Sequence, residues 1–251
     1  MKKIIYIASN EARRLFYSPL AWTVLAAVQV VLGFMYVMQL QFYQQVQSQL
    51  LASPEPVGVT EIVAVPIFGN AAVVLLLVSP LLTMRLLSDE RSNKTLALLF
   101  SAPLSMTEII LGKYLGIMIF FTMMLLVICI MPLSLLLGAQ LDFGLLAAGA
   151  LGLWLILAAF SALGLFMSAL TANVTIAAVS TFGVLLMLWI LDWAGDMPDS
   201  QLSELFSYLS ILNHYESMLR GVFSSADLIY YVLFVTTFLG LAIKRLDAER
   251  I

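Results

Sequence analysis

Charge is missing from most of this chain. Six long stretches, residues 20–40, 62–84, 114–137, 143–170, 174–191 and 228–243, contain no Asp, Glu, Lys or Arg. Only 11% of the 251 residues are charged, against roughly a quarter in soluble domains. About 20 apolar residues in a helix match the thickness of a bilayer, so the chain reads as a membrane protein. Cysteine and histidine occur once each. Cys129 lies in an apolar run, which excludes an intrachain disulfide framework and makes it a small core hydrophobe. A sole His214 excludes most histidine-based metal centres, and no metal site is expected. No phosphate-binding Gly-x-x-x-x-Gly-Lys-Ser/Thr loop is present: Gly112-Lys113 is followed by Tyr114 and has no glycine five residues earlier. Carboxylate pairs for intramembrane acid catalysis are missing from the apolar stretches, as are the ionisable relays of ion-coupled transporters. The N-terminus is basic, but the apolar run 4–7 is too short for a signal peptide.

What is present has a clear order. Residues 2–17 form an amphipathic pattern: at helical spacing Ile4, Ile5, Ala8, Ala12, Leu15 and Phe16 share one face, with Tyr6, Asn10, Arg13, Arg14 and Tyr17 opposite. Such a helix lies in the membrane interface with Arg13 and Arg14 toward anionic headgroups. Ser18-Pro19 ends it. Eleven of the twelve Lys and Arg fall on one side of the six spans, and only Arg220 on the other. By the positive-inside rule both termini are cytoplasmic. Gly144, Ala148 and Gly152, and again Gly164 and Ser168, recur every four residues, a spacing that lets helices approach closely in lipid. Pro66, Pro80 and Pro132 are candidate kinks, and Gln29, Gln39 and Asn70 candidate helix–helix hydrogen-bond formers. The outer loop 192–227 carries Leu202, Leu205, Phe206, Leu209 and Leu212 at helical spacing, so two short re-entrant helices are expected, broken near residue 212. His214, Glu216 and Arg220 sit in that loop, and His214 reads as a structural, hydrogen-bonding residue.

The expected fold is therefore an all-α integral membrane protein in one domain, 1–251. It comprises an interface helix (1–18), six spans, a cytoplasmic loop (85–113) and an outer re-entrant loop (192–227). The cytoplasmic loop holds Arg85, Arg91, Lys94 and Lys113 around an apolar patch of Leu96, Leu98, Leu99 and Phe100 closed by Pro103. Topology explains the cations but leaves the patch unexplained. With no ATP site in the chain, the patch reads as a dock for an external motor.

Glu90-Arg91, Thr95-Leu96, Leu98-Leu99, Pro103 and Gly112-Lys113, in that order and spacing, resemble the cytoplasmic loop of type-2 ABC transporter permeases. The resemblance implies a coupling helix that seats in a groove of a separate ABC ATPase subunit, with Glu90, Arg91, Thr95, Leu96, Leu98, Leu99, Phe100 and Pro103 as coupling residues. The family often has Gly before the Thr and Glu after the Leu, where this chain has Lys94 and Ala97. The same resemblance implies a non-enzymatic permease subunit without a cofactor of its own, Mg-ATP being bound by the partner. A second copy or a related permease, a bacterial inner-membrane location and export as the usual direction also follow from it; no nucleic-acid partner does. Leu209-Ser210, His214-Tyr215-Glu216-Ser217, Arg220-Gly221-Val222, Asp227 and Tyr230 look like the last outer loop and final helix of the gliding-motility (Gld-type) permeases. That likeness implies a periplasmic-domain partner at the outer loop. It leaves open a second role, transmission of ATP-driven motion to such a partner without moving a solute.

Overall fold

The computed structural model describes residues 2–51, 58–96, 104–195 and 208–250. Among them are nine α-helices and no strand: α1 (Lys2–Phe16), α2 (Pro19–Leu51), α3 (Val65–Thr83), α4 (Ser88–Ser92), α5 (Met106–Ser134), α6 (Phe143–Leu170), α7 (Val174–Gly195), α8 (Ile211–Leu219) and α9 (Ser225–Arg250). Six of them (α2, α3, α5, α6, α7 and α9) are long and apolar enough to cross a membrane. Helix is the form a charge-free stretch must take in lipid, because it satisfies every amide within the segment.

Several helices run past the apolar stretches that define them. Backbone amides beyond the hydrocarbon edge find water, so the helix ends where a cap stops it. For α5 that cap is Ser105. Its Oγ accepts the Glu108 N–H at 3.1 Å, and Glu108 Oε2 accepts the Ser105 N–H at 3.0 Å. Residues 106–113, expected in the loop, are thus the first two turns of α5. The final helix extends at both ends, from Ser225 to Arg250. A π-helical turn, Thr60–Ala64, precedes α3, and Gln39 Nε2 donates to its Ile62 carbonyl at 2.9 Å. Pro66 lies in the first turn of α3, while Pro80 and Pro132 are internal to α3 and α5. The Gln29 amide nitrogen has no hydrogen-bond partner among the described residues.

Helix α6 is the central post. Gly149 lies against Phe68 of α3, and Gly152 against the ring of Tyr215 in α8, where an added Cβ would come within 2.9 Å. Gly164 is in contact with Thr83 so close that a Cβ there would collide with the threonine hydroxyl. One turn on, Ser168 Oγ accepts the N–H groups of Leu87 and Ser88, each at 3.0 Å, and donates to the Met84 carbonyl at 2.8 Å. This hydroxyl, with that of Ser88, which also donates to the Met84 carbonyl, fixes the turn that leads from α3 into α4. Gly144 has a different use, in the cap of α6: Asp142 Oδ1 accepts its N–H at 2.8 Å.

Candidate functional site

The end of the bundle that holds both termini is built on a close helix crossing. Gly112 and Gly116 lie one turn apart on α5, and α1 packs into the gap they leave. A Cβ on Gly112 would come 2.6 Å from Ile7 Cβ, and one on Gly116 would come 2.6 Å from Glu11 Cβ. The expected face of α1 supplies Ala8 and Ala12, both buried, while Tyr6 and Tyr17 are exposed. Glu11 is also on the buried face, where the sequence pattern gave no reason to place an acid.

Lys113 gives the reason. Its side chain is 2% exposed, with Nζ 3.2 Å from Glu11 Oε2 and 2.7 Å from Glu90 Oε1. A buried ammonium between two carboxylates from α1 and α4 joins three elements at one point. Around it, Arg14 of α1 meets Asp89 of α4 at 2.7 Å and approaches Glu11 at 3.9 Å. Arg91 of α4 reaches Glu249 near the end of α9 at 2.7 Å, and Glu249 also pairs with Arg245 at 3.1 Å. Four helices are thereby tied into one charged knot.

The turn after α4 explains the spacing of Glu90, Arg91 and Thr95. The Thr95 N–H donates to the Glu90 carbonyl at 2.9 Å, its hydroxyl donates there too, and the Lys94 N–H donates to the Arg91 carbonyl at 3.1 Å. This six-to-one, five-to-two pattern is a Schellman cap, which needs a left-handed residue at its tip. Lys94 fills that position with φ 57°. Glycine takes this conformation without steric cost, whereas the Cβ of Lys94 is crowded there.

Beyond the cap, Leu96 turns into the hydrophobic core and is 8% exposed. It therefore anchors the loop on the bundle. Leu98, Leu99, Phe100 and Pro103, expected as the docking patch, lie outside the described residues. Arg13 and Arg85 are exposed.

A second cluster occupies the opposite end. Ser210 Oγ accepts the Asn213 N–H at 3.2 Å and so starts α8 two residues before the expected break. The first of the two expected outer helices falls mostly on 199–207, outside the described residues. His214 Nδ1 faces Asp227 Oδ1 at 2.7 Å, and its Nε2 faces the Tyr208 carbonyl at 3.0 Å. Its ring stacks on Tyr230 with centroids 4.1 Å apart. Ser217 donates to Asp227 Oδ2 at 2.5 Å, not to the imidazole, so this Ser, His and Asp do not form a nucleophilic triad. The arrangement is a lock: Asp227 opens α9 and holds α8, while Tyr231 donates to the Ile211 carbonyl at 2.7 Å and Tyr215 to the Phe68 carbonyl at 2.9 Å. Glu216 and Arg220 stand outside the lock as an exposed pair at 3.4 Å, a geometry worth little.

Sequence reasoning placed Lys113 among cations that could serve topology alone, and passed over Glu11, Asp89 and Glu249. One usable signal was present. Glu11 stands three residues from Ala8 on the stripe that buries α1, and an acid there requires a buried cation.

Compared with known proteins, the chain matches no curated protein. A family model described as ABC-2 family transporter protein matches residues 5–247, from within α1 to the last turn of α9, and so takes in the lock and all of the knot but Glu249. The chain belongs to the ABC-2 family of transporter proteins, as a multi-pass membrane subunit of the permease type.

Proposed function

We propose that the chain is the membrane half of an ATP-driven exporter, and that the knot around Lys113 carries the stroke of a separate ABC ATPase into the spans. The observation that bears most weight is the sealed ammonium of Lys113 between Glu11 and Glu90, because it makes α1, α4 and the start of α5 one mechanical body. The segment 93–103 emerges directly from that body. Leu98, Leu99 and Phe100, bounded by Pro103, seat in the ATPase, while Glu90, Arg91, Thr95 and Leu96 hold the segment's root. ATP, bound with Mg in the partner, closes the motor. The resulting push reaches α3 through the Ser168-held turn, α5 through Lys113 and α9 through Arg91. Two permease chains, identical or related, face each other, and both termini lie on the cytoplasmic side of a bacterial inner membrane. The charge-free spans suit an amphipathic or lipid-linked cargo.

The outer lock supports a second reading of the same machine. Its residues His214, Ser217, Asp227 and Tyr230 are among those that resemble the Gld-type subfamily. A rigid outer element suits a periplasmic partner that is moved without any solute crossing. Reconstituted vesicles separate the two readings: ATP turnover that responds to a candidate cargo fits export, and turnover governed only by an outer partner fits mechanical coupling.

The docking assignment has its own test. Replacing Leu98 and Leu99 together by Asp is expected to abolish co-purification of the ATPase while the chain still inserts in the membrane. Co-purification at the wild-type level would refute it.

A further inference from the structure

The α1–α5 crossing leaves an open groove of about 750 Å³ on the outer surface of the bundle. Ile5 and Phe16 of α1 line one wall, Ile119 and Leu126 of α5 the other, and Trp154 of α6 adds to the lining beside Thr122. The groove follows residues 115–126 of α5 for about 16 Å at the helical rise. Its polar groups are few. Thr122 is occupied, accepting the Trp154 indole N–H at 3.1 Å and donating to the Met118 carbonyl at 2.7 Å. At the groove's edge stands Arg13, exposed and with no acidic partner among the described residues, whereas the adjacent Arg14 is held by Asp89 and Glu11.

We propose that this groove binds one anionic phospholipid, its acyl chains along α5 and its phosphate on the Arg13 guanidinium. Charge complementarity selects this occupant over a second copy of the chain. At this end of the bundle Glu11, Asp89, Glu90 and Glu249 are engaged in the knot and Glu108 in the α5 cap, so among the described side chains a second copy could offer only the exposed Asp247 to Arg13. Every anionic lipid brings a phosphate together with apolar chains that fit the walls. The site does not depend on the ATPase-docking assignment.

Native mass spectrometry of the purified full chain, titrated with phosphatidylglycerol or phosphatidylcholine, tests this. The wild type is expected to retain one phosphatidylglycerol per chain in preference to phosphatidylcholine. Arg13→Ala is expected to weaken phosphatidylglycerol about fivefold, the worth of one interfacial cation, and to erase the preference. Lys244→Ala, at an exposed cation of the same end, is expected to change nothing. Ser9→Trp, which fills the groove from an exposed position, is expected to lose both lipids. Equal retention of the two lipids by the wild type would overturn the proposal, as would unchanged phosphatidylglycerol affinity in Arg13→Ala. So would a Ser9→Trp variant that converts a dimer to a monomer at constant lipid count, since that result assigns the groove to a second copy.

Discussion

An ammonium sealed from solvent between two carboxylates is costly to disturb, and Lys113 is held in that state by Glu90 at 2.7 Å and Glu11 at 3.2 Å. Taking the charges out of water cost free energy that their attraction offsets only while the set is intact. Lys113→Met leaves two acids desolvated and facing each other, and breaking a buried pair in this way costs about 3–5 kcal/mol. We expect a loss of that size in thermal unfolding followed by tryptophan fluorescence in micelles. Adding Glu11→Gln and Glu90→Gln to Lys113→Met is expected to recover most of it, because a neutral set has no charge left to desolvate. If the triple variant stays as unstable as the single one, the lysine acts through packing rather than charge. The neighbouring Arg14–Asp89 pair is different in kind: with Arg14 46% exposed its contribution is screened by water and small.

At the scale of elements, the docking of α1 and of α8 rests on glycines and on one carboxylate. Gly116→Val places a side chain where Glu11 Cβ stands 2.6 Å from the added Cβ, so α1 must move off α5. Hydrogen exchange is expected to show residues 2–16 losing protection while the rest of α5 keeps it. Retained protection would mean that α1 is held by the membrane rather than by the crossing. At the other end, Asp227→Asn weakens charge-assisted hydrogen bonds to His214 and Ser217, each worth about 1.5–3 kcal/mol. The amides of 211–219 are expected to exchange faster by a matching factor, with α6 unaffected. The membrane-crossing helices were legible in the sequence because lipid permits a charge-free stretch almost no other form. Their ends were less so, since the hydrophobic pattern stops at the membrane edge while the helix continues to its cap, as at Ser105. The pairing of Lys113 with Glu11 was illegible for a separate reason. The acid on the buried stripe of α1 signals that a cation is needed, but Lys113 lies 102 residues away and nothing local says which cation answers it. The motif Glu90, Arg91, Thr95 was legible as a resemblance only; its physical content, a Schellman cap with a left-handed tip at Lys94, needed the backbone.

For the whole molecule, α6 is the element on which others pack. Its C-terminal half holds the α3–α4 turn through Gly164 and Ser168, and its N-terminal half holds Phe68 and Tyr215 through Gly149 and Gly152. On the proposed coupling, a push delivered to the knot arrives at α3, α5 and α9 together, while the lock keeps α8 and the start of α9 in register. The link to α9 is the most economical to interrupt, because it passes through Arg91 and Glu249 at 2.7 Å. Arg91→Glu sets two acids against each other there, and Glu249→Arg gathers three cations with Arg245. Either single exchange is expected to keep the ATPase bound yet to lower the ATP turnover coupled to the permease in proteoliposomes, several-fold. Combining both exchanges restores one acid and one base to the same two positions and is expected to return turnover toward wild type. Full turnover in both single variants would remove α9 from the path of force. Failure of the double variant alone would show that the two residues act separately, Arg91 on the loop and Glu249 on its own helix through Arg245.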